Sequence, residues 1–101
     1  MDEIKAFTDA LVASYAPEKV VLFGSYATGS ATEDSDVDLL VLMPHAGKAC
    51  AQALDIRRNL RRNFPLDLIV QSPEEAEFRA RAGDPFITEA MLRGRTLYER
   101  Y

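Results

Sequence analysis

One stretch of the sequence, residues 23–42, constrains the fold and the chemistry of this chain more than any other. It reads FGSYATGSATEDSDVDLLVL and places a Gly-Ser turn ten residues before an Asp-Val-Asp that opens an apolar run. Because the side chains of a strand alternate between its faces, Asp36 and Asp38 are expected to point the same way. At a gap of about 5 Å and an effective dielectric near 20, two carboxylates repel by roughly 3 kcal/mol. The sequence therefore predicts that a cation, a proton or open water compensates this repulsion.

A divalent cation is the functional interpretation of the two aspartates, since hard cations such as Mg²⁺ bind carboxylate oxygens and bridge them to phosphates. A solvated junction between loop and strand is the structural alternative, and the Asp-x-Asp pattern alone leaves both open.

Three familiar phosphate- or metal-binding motifs do not fit the sequence. The spacing of Gly24 and Gly29 matches a P-loop, but Ser30-Ala31 replaces its Lys-Ser/Thr. An EF-hand fails because Leu39 replaces the turn glycine and His45 the bidentate glutamate, and no G-x-G-x-x-G follows a strand.

Length and composition favour one small globular domain over residues 1–101. The 48% hydrophobic and 28% charged content is typical of a globular protein, and no apolar run approaches the eighteen or so residues of a membrane span. A formal charge of −4 argues against long nucleic acid as the main partner. A single cysteine, Cys50, forbids an internal disulfide and favours a cytoplasmic location. Its alanine-rich helical surroundings predict a small buried side chain.

Hydrophobic periodicity predicts an α/β (α+β) fold, in which a small three-stranded sheet is flanked by helices. The predicted strands cover residues 19–23, 36–43 and 66–71. A first amphipathic helix ends before Pro17, and the longest helix covers residues 49–64. A capping box at Ser72 begins a helix over residues 73–82, and Asp84 caps another that ends at Gly94 with Met91 in its buried stripe. Residues 95–101 are predicted to be an extended or frayed tail.

Three further features are candidates for function. Asp67 is the one acid in the otherwise apolar run of residues 66–71, which makes it a candidate third carboxylate. His45 follows a predicted strand end, where a turn or rim position is favoured over metal binding or proton transfer. The helix over residues 49–64 carries four arginines on one face, which is either a solvated face or a patch for phosphate or a partner: Arg57, Arg58, Arg61 and Arg62.

The complete pattern resembles the minimal nucleotidyltransferases, the MNT domains of the DNA polymerase β superfamily. Their signature is Gly-Ser, ten residues, and Asp-x-Asp, which Gly24-Ser25, residues 26–35 and Asp36-Val37-Asp38 satisfy without a gap. The resemblance extends to the leading helix, the strand before the Gly-Ser pair, the acid-bearing third strand and a C-terminal stretch reading FITEAMLRGRTLYE. It implies the nucleotidyltransferase fold, with a small mixed sheet flanked by helices.

The resemblance also implies a role for each matching residue. Gly24 and Ser25 would hold the triphosphate, while Asp36, Asp38 and Asp67 would bind Mg²⁺, normally as two ions. Asp67 would in addition act as the base toward the incoming hydroxyl. The implied reaction moves a nucleoside monophosphate, most often AMP from ATP, to a hydroxyl with release of pyrophosphate. Many relatives have an arginine four residues after the glycine, where this chain has Thr28.

The resemblance further implies a partner, because short members of the family lack the extra domain that larger relatives use to hold the acceptor. MNT proteins of this kind are paired with a HEPN-domain ribonuclease as a toxin–antitoxin system, in which the MNT protein adenylylates a tyrosine of the toxin. The leading hypothesis is therefore an antitoxin that silences a HEPN toxin by AMP transfer. Two alternatives stay open: a non-catalytic antitoxin that acts by binding, and the catalytic half of a two-subunit small-molecule nucleotidyltransferase.

Overall fold

The apolar runs of the sequence form a sheet at the centre of the molecule. A computed structural model describes residues 2–32 and 34–100. Along these ranges the helices and strands are α1 (Asp2–Tyr15), β1 (Lys19–Phe23), α2 (Ser25–Thr28), β2 (Val37–Leu42), α3 (Ala49–Asn59), β3 (Leu66–Gln71), α4 (Pro73–Arg81), α5 (Pro85–Arg93) and β4 (Arg95–Glu99). In these same ranges, no helix combines the length and the apolar character that crossing a bilayer requires. The α+β class predicted from periodicity is confirmed.

The sheet is mixed and has the strand order β3-β2-β1-β4. Strand β1 pairs antiparallel with β2 and with β4, whereas β2 and β3 run parallel. The three predicted strands are present, but the count of three is wrong because residues 95–99 form β4 rather than a frayed tail. The side chains of β4 are exposed or half-buried, so its sequence lacks the apolar run that marks the other strands. Pairing with the free edge of β1 makes it a strand.

Two layers of helices cover the two faces of the sheet. Alternate strand residues such as Val20 and Leu39 pack with α1 and α3, while Val21, Phe23 and Leu40 pack with α4 and α5. Strand β2 is therefore covered on both sides, which explains its continuous apolar run. Asp38 has the same parity along β2 as Leu40, and so it belongs to the face that α4 and α5 cover.

Helix α3 is shorter than its hydrophobic spacing predicts. It ends at Asn59, and Leu60 already has extended backbone angles of φ −113° and ψ 130°. Pro65 disfavours helical geometry at the preceding Phe64. The ring of Phe64 nevertheless packs edge-to-face on Phe7, with ring centroids 5.9 Å apart. The spacing over residues 49–64 therefore identified side chains that face the core, but not the end of the helix, and α1 is the longer of the two.

Two arginines of the predicted basic face have structural contacts. Nη1 of Arg57 donates a hydrogen bond of 3.0 Å to the carbonyl oxygen of Leu66, at the outer edge of the sheet. Nη1 of Arg62 lies 3.5 Å from the carbonyl oxygen of Arg57. Arg58 and Arg61 are exposed. Neither a solvated face nor a patch for phosphate or a partner describes all four arginines, because Arg57 and Arg62 donate to carbonyl oxygens of the chain's own backbone.

The predicted helix caps are confirmed, whereas two predictions of burial are wrong. Ser72 and Glu75 form the reciprocal capping box, and the Asp84 carboxylate accepts hydrogen bonds from the first amides of α5. Cys50 is exposed because it lies on the solvent side of the first turn of α3. Met91 is 46% exposed, since Ile87 and Ala90 alone supply the fully buried stripe of α5.

Candidate active site

The Gly-Ser turn begins where β1 ends, and its backbone geometry requires glycine. Gly24 has φ 75° and ψ −153°, a conformation that side-chain-bearing residues rarely adopt. A Cβ atom at this position would overlap Oδ2 of Asp38. The turn is closed by α2, in which the amides of Ala27 and Thr28 donate to the carbonyl oxygen of Gly24 at 3.1 and 3.2 Å. Gly24 is therefore needed both for the turn and for the carboxylate that lies against it.

Strand pairing brings Asp38 next to Asp67. In the antiparallel β1–β2 pair the partner of Asp38 is Phe23, and in the parallel β2–β3 pair it is Asp67. Residues that are paired in register project to the same face of a sheet, so these two aspartates are neighbours on the α4–α5 side. Asp38 is half-buried and Asp67 is exposed. Asp36 is also exposed and lies just before β2, which begins at Val37 rather than at the predicted residue 36.

Electrostatics links the three predicted carboxylates. Burial raises the pKa of Asp38 above its usual value, and the charges of Asp67, Asp36 and Glu89 raise it further. Asp67 and Asp36 are two of the three carboxylates that the sequence predicts as candidates. Glu89 lies on α5 and is not among the candidates from the sequence, because nothing in its helical spacing relates it to a strand residue 51 positions earlier. The site thus concentrates negative charge around a half-buried carboxylate.

The donor chemistry fits a divalent cation, although the side chains do not form a closed metal site. Among residues 2–32 and 34–100, no three His, Cys, Asp or Glu side chains are close enough together to share one metal ion. Burial, followed by the charges of Asp67, Asp36 and Glu89, raises the pKa of Asp38 and so disfavours its ionised form, a cost that a bound cation would offset. Carboxylate oxygens of this kind are the ligands that Mg²⁺ prefers. Asp36, Asp38 and Asp67 are therefore the residues that could hold such an ion.

Thr28 has a local role in the turn. Its hydroxyl lies 3.4 Å from the carbonyl oxygens of Gly24 and Ser25 and 3.0 Å from Oγ of Ser30. The amide of Ser30 in turn donates to the carbonyl oxygen of Ser25 at 3.0 Å. The exposed Thr28 side chain thus fastens the end of α2 to the loop. It supplies no positive charge at the position where the resemblance leads us to expect an arginine.

Comparison with known proteins identifies the family. The profile of the nucleotidyltransferase domain matches residues 2–95. The chain belongs to this family. A Methanocaldococcus jannaschii protein whose name proposes a protein adenylyltransferase activity is 33% identical over 101 residues, with 94% of each chain covered. The chain is therefore a nucleotidyltransferase, and the resemblance read from the Gly-Ser and Asp-x-Asp signature is confirmed at the level of the family.

Two solved structures share the nucleotidyltransferase fold. A proposed nucleotidyltransferase from Sulfolobus solfataricus superposes with a TM-score of 0.69 at 20% identity, over 98% of this chain and 79% of that one. A toxin–antitoxin crystal structure with AMP-PNP gives a TM-score of 0.57 at 18% identity, over 95% of this chain and 73% of that one. At these identities the likeness establishes the fold alone. It confirms the fold implied by the resemblance, with four strands instead of three.

Proposed function

We propose that this chain transfers AMP from ATP to a hydroxyl in a Mg²⁺-dependent reaction, and that the acceptor is a tyrosine of a HEPN ribonuclease toxin for which it is the antitoxin. The observation that carries the proposal is the placement of Asp38 against Gly24, beside Asp67 and within the field of Asp36. Support for a protein acceptor comes from the name of the archaeal relative, and support for a toxin partner from the toxin–antitoxin neighbour. The proposal includes the cytoplasmic location that ATP dependence favours.

Each proposed site residue has a defined task. The turn at Gly24 and Ser25 would hold the triphosphate through backbone amides and the serine hydroxyl. Asp36, Asp38 and Asp67 would hold Mg²⁺, as two ions by analogy with the family, and the metal would neutralise charge on the attacking and leaving oxygens. Exposed Asp67 would accept the proton of the acceptor hydroxyl. The hydroxyl oxygen then bonds to the α-phosphorus, the bond to the bridging oxygen breaks, and pyrophosphate leaves.

Transfer of label from α-³²P-ATP tests the proposal directly. The purified chain is incubated with Mg²⁺ and the proposed HEPN partner, and the labelled residue is identified by mass spectrometry. We expect label on a tyrosine, loss of transfer in Asp38→Asn, and a fall of about a hundredfold or more in Asp67→Asn. Asp9→Asn, on the exposed surface of α1, is the matched control and should transfer at the wild-type rate.

Four outcomes would contradict parts of the proposal. An unlabelled HEPN protein would exclude it as the acceptor, and label on an antibiotic or nucleotide would favour a small-molecule enzyme instead. Equal transfer by Asp38→Asn and the wild type would exclude the assigned metal site. If the triple variant with alanine at Asp36, Asp38 and Asp67 still protects cells from the toxin, neutralisation proceeds by binding alone.

A further inference from the structure

Strand β3 forms one outer edge of the sheet, and its backbone groups point alternately toward β2 and away from it. The carbonyl oxygen of Pro65, just before β3, accepts a hydrogen bond of 2.9 Å from the amide of Val37. The carbonyl oxygen of Gln71, at the end of β3, accepts one of 2.9 Å from the amide of Met43. Because carbonyl groups alternate in direction along a strand, the carbonyl oxygen of Leu66 points away from β2. In the part of the chain that the structure describes, no strand pairs with β3 on that side.

Arg57, in the last turn of α3, supplies the hydrogen bond that a further strand would otherwise supply. Its Nη1 donates to the carbonyl oxygen of Leu66 at 3.0 Å, and the Arg57 side chain is half-buried. Nη1 of Arg62 lies 3.5 Å from the carbonyl oxygen of Arg57, which connects the loop after α3 to the end of the helix. A hydrogen bond from a charged donor is stronger than one between neutral groups. The start of β3 is therefore held by α3 on one side and by β2 on the other.

The peptide unit that Arg57 holds is the one that leads into Asp67. The carbonyl group of Leu66 and the amide of Asp67 belong to the same planar trans peptide, so a carbonyl held on the outer side directs the amide toward β2. That direction keeps Asp67 in register with Asp38 in the parallel β2–β3 pair. The Asp67 side chain is exposed, so the position of its carboxylate depends on the backbone of β3 rather than on surrounding packing. Arg57 therefore fixes the backbone from which this carboxylate projects.

We propose that Arg57 is a positioning residue for Asp67, which it holds beside Asp38 so that both carboxylates reach the proposed Mg²⁺ site. The inference rests on the proposed function, because it concerns the metal ligands of that reaction. Arg57 acts through the peptide between Leu66 and Asp67 and does not contact the reacting atoms. Loss of its hydrogen bond releases the start of β3 and weakens metal binding, although the carboxylates themselves are unchanged. Groups that orient a metal ligand from behind typically account for about ten- to a hundredfold in metal affinity.

Binding of Mn²⁺ alone tests the inference, because Mn²⁺ takes the same oxygen ligands as Mg²⁺ and its free form is quantified by electron paramagnetic resonance. Arg57→Met removes the donor and keeps a long apolar side chain. Arg58→Met, at the exposed neighbouring position, removes the same charge and is the matched control. We expect Arg57→Met to weaken Mn²⁺ binding about tenfold or more, whereas Arg58→Met should match the wild type. Arg57→Lys should recover part of the loss, since lysine keeps a charged donor.

Two further measurements distinguish positioning from a general loss of stability. Asp67→Asn should itself bind Mn²⁺ more weakly, and adding Arg57→Met to it should cause no further weakening, since the carboxylate that Arg57 positions is then absent. In the metal-free chain, NMR should show faster hydrogen exchange of the Asp67 amide, relative to the amides of β1, in Arg57→Met than in Arg58→Met. Thermal unfolding of every variant above the assay temperature shows that folded chains are compared.

Metal binding and AMP transfer separate the inference from the function on which it rests. Wild-type Mn²⁺ affinity in Arg57→Met would overturn the inference alone, as would equal weakening by Arg58→Met or an undiminished effect of Arg57→Met in the Asp67→Asn background. A wild-type chain that binds no Mn²⁺ would overturn both the inference and the proposed metal site. Weakened binding that depends on Asp67, without transfer of label to the proposed HEPN partner, would support the positioning role and overturn the proposed reaction.

Discussion

At the scale of single residues, the Gly24 and Asp38 pair is the central feature of the site. The resemblance assigns Gly24 to close approach by a triphosphate. The structure adds a second reason, since the space that a Cβ would occupy is already taken by the Asp38 carboxylate. Gly24 and the carboxylate of Asp38 are thus packed directly against each other. A substitution at either position affects both the phosphate turn and the carboxylate cluster.

Replacing Gly24 by alanine should therefore damage the site more than a backbone penalty alone predicts. Gly29→Ala is the matched control, because Gly29 also has a positive φ of 83° but nothing within 4 Å of its Cβ position. We expect Gly29→Ala to cost about 1 kcal/mol in free energy of unfolding, with transfer activity kept. Gly24→Ala should cost about 1–3 kcal/mol and abolish AMP transfer, since Asp38 must move. Urea unfolding and the label assay measure both, and equal effects of the two variants would contradict this prediction.

At the scale of elements, His45 joins the loop after β2 to the start of α4. Its Nε2 lies 2.6 Å from Oε1 of Glu75, and its Nδ1 lies 2.8 Å from the carbonyl oxygen of Gly47. Both neighbours accept hydrogen bonds, so the doubly protonated ring satisfies both and the pKa of His45 is raised. Two hydrogen bonds to the Glu75 carboxylate, first from the amide of Ser72 and then from the ring of His45, lower the pKa of Glu75 to about 2. The prediction of a turn position for His45 agrees with this placement.

The contact between His45 and Glu75 should make stability depend on pH in a defined window. The raised pKa of His45 contributes stability that is complete below its unfolded value near 6.5 and is lost as pH rises through the folded value. The lowered pKa of Glu75 contributes stability that is complete above 4.5 and is lost as pH falls toward 2. The joint contribution is therefore largest between about pH 4.5 and 6.5.

Proton NMR titration of His45, the single histidine, measures this contact without ambiguity. We expect a pKa above 6.5 in the wild type and a lower value in Glu75→Gln, because the substitution removes the charged acceptor. Glu77→Gln, two positions along α4, is the control and should leave the His45 pKa unchanged. A wild-type pKa at or below 6.5 would show that the ring does not bind Glu75 in solution.

Arg57 stabilises the outer edge of the sheet. Its guanidinium donates to the carbonyl oxygen of Leu66, the first residue of the edge strand β3 and the neighbour of Asp67 in the chain. We expect Arg57→Ala to lower the free energy of unfolding by about 1–2 kcal/mol, since a hydrogen bond from a charged group is lost. Arg58→Ala, at the exposed neighbouring position, should stay within about 0.5 kcal/mol of the wild type. Equal denaturation midpoints for the two variants would contradict a structural role for Arg57.

At the scale of the whole molecule, the acids of the site work against the stability of the fold. A raised pKa means that the ionised form of Asp38 is less favourable in the folded than in the unfolded chain. Stability is therefore lost as pH rises through the folded pKa, and a neutral side chain should not suffer this loss. The same charge is what would attract a divalent cation.

Asp38→Asn should accordingly keep or raise the stability of the metal-free chain, although it abolishes AMP transfer. Without metal at pH 7, we expect its melting temperature to equal or exceed that of the wild type, because the cost of burying a charge and the repulsion by Asp67 and Asp36 are both removed. Mg²⁺ with a non-hydrolysable ATP analogue should raise the wild-type melting temperature more than that of Asp38→Asn. Differential scanning fluorimetry measures both, with Asp9→Asn as the control. A marked loss of stability in metal-free Asp38→Asn would contradict this account.

Most of the fold could be predicted from local sequence. Apolar runs located β1 and β3 at the observed residues, and capping chemistry located the starts of α4 and α5, because both signals depend on neighbours in the chain. The predictions failed where a distant contact decides. Strand β4 exists because β1 has a free edge, and Phe64 reaches the core from outside α3.

The sequence by itself determined the family and the identity of three candidate carboxylates, since the Gly-Ser and Asp-x-Asp spacing is a property of one continuous segment. The tertiary structure alone decided what surrounds them. The parallel register sets Asp67 beside Asp38, and the packing of α5 on β1 adds Glu89 to the same electrostatic neighbourhood. The physical reason is that like charges separated by tens of residues interact only after the strands and helices have packed. That packing depends on contacts between distant segments of the chain.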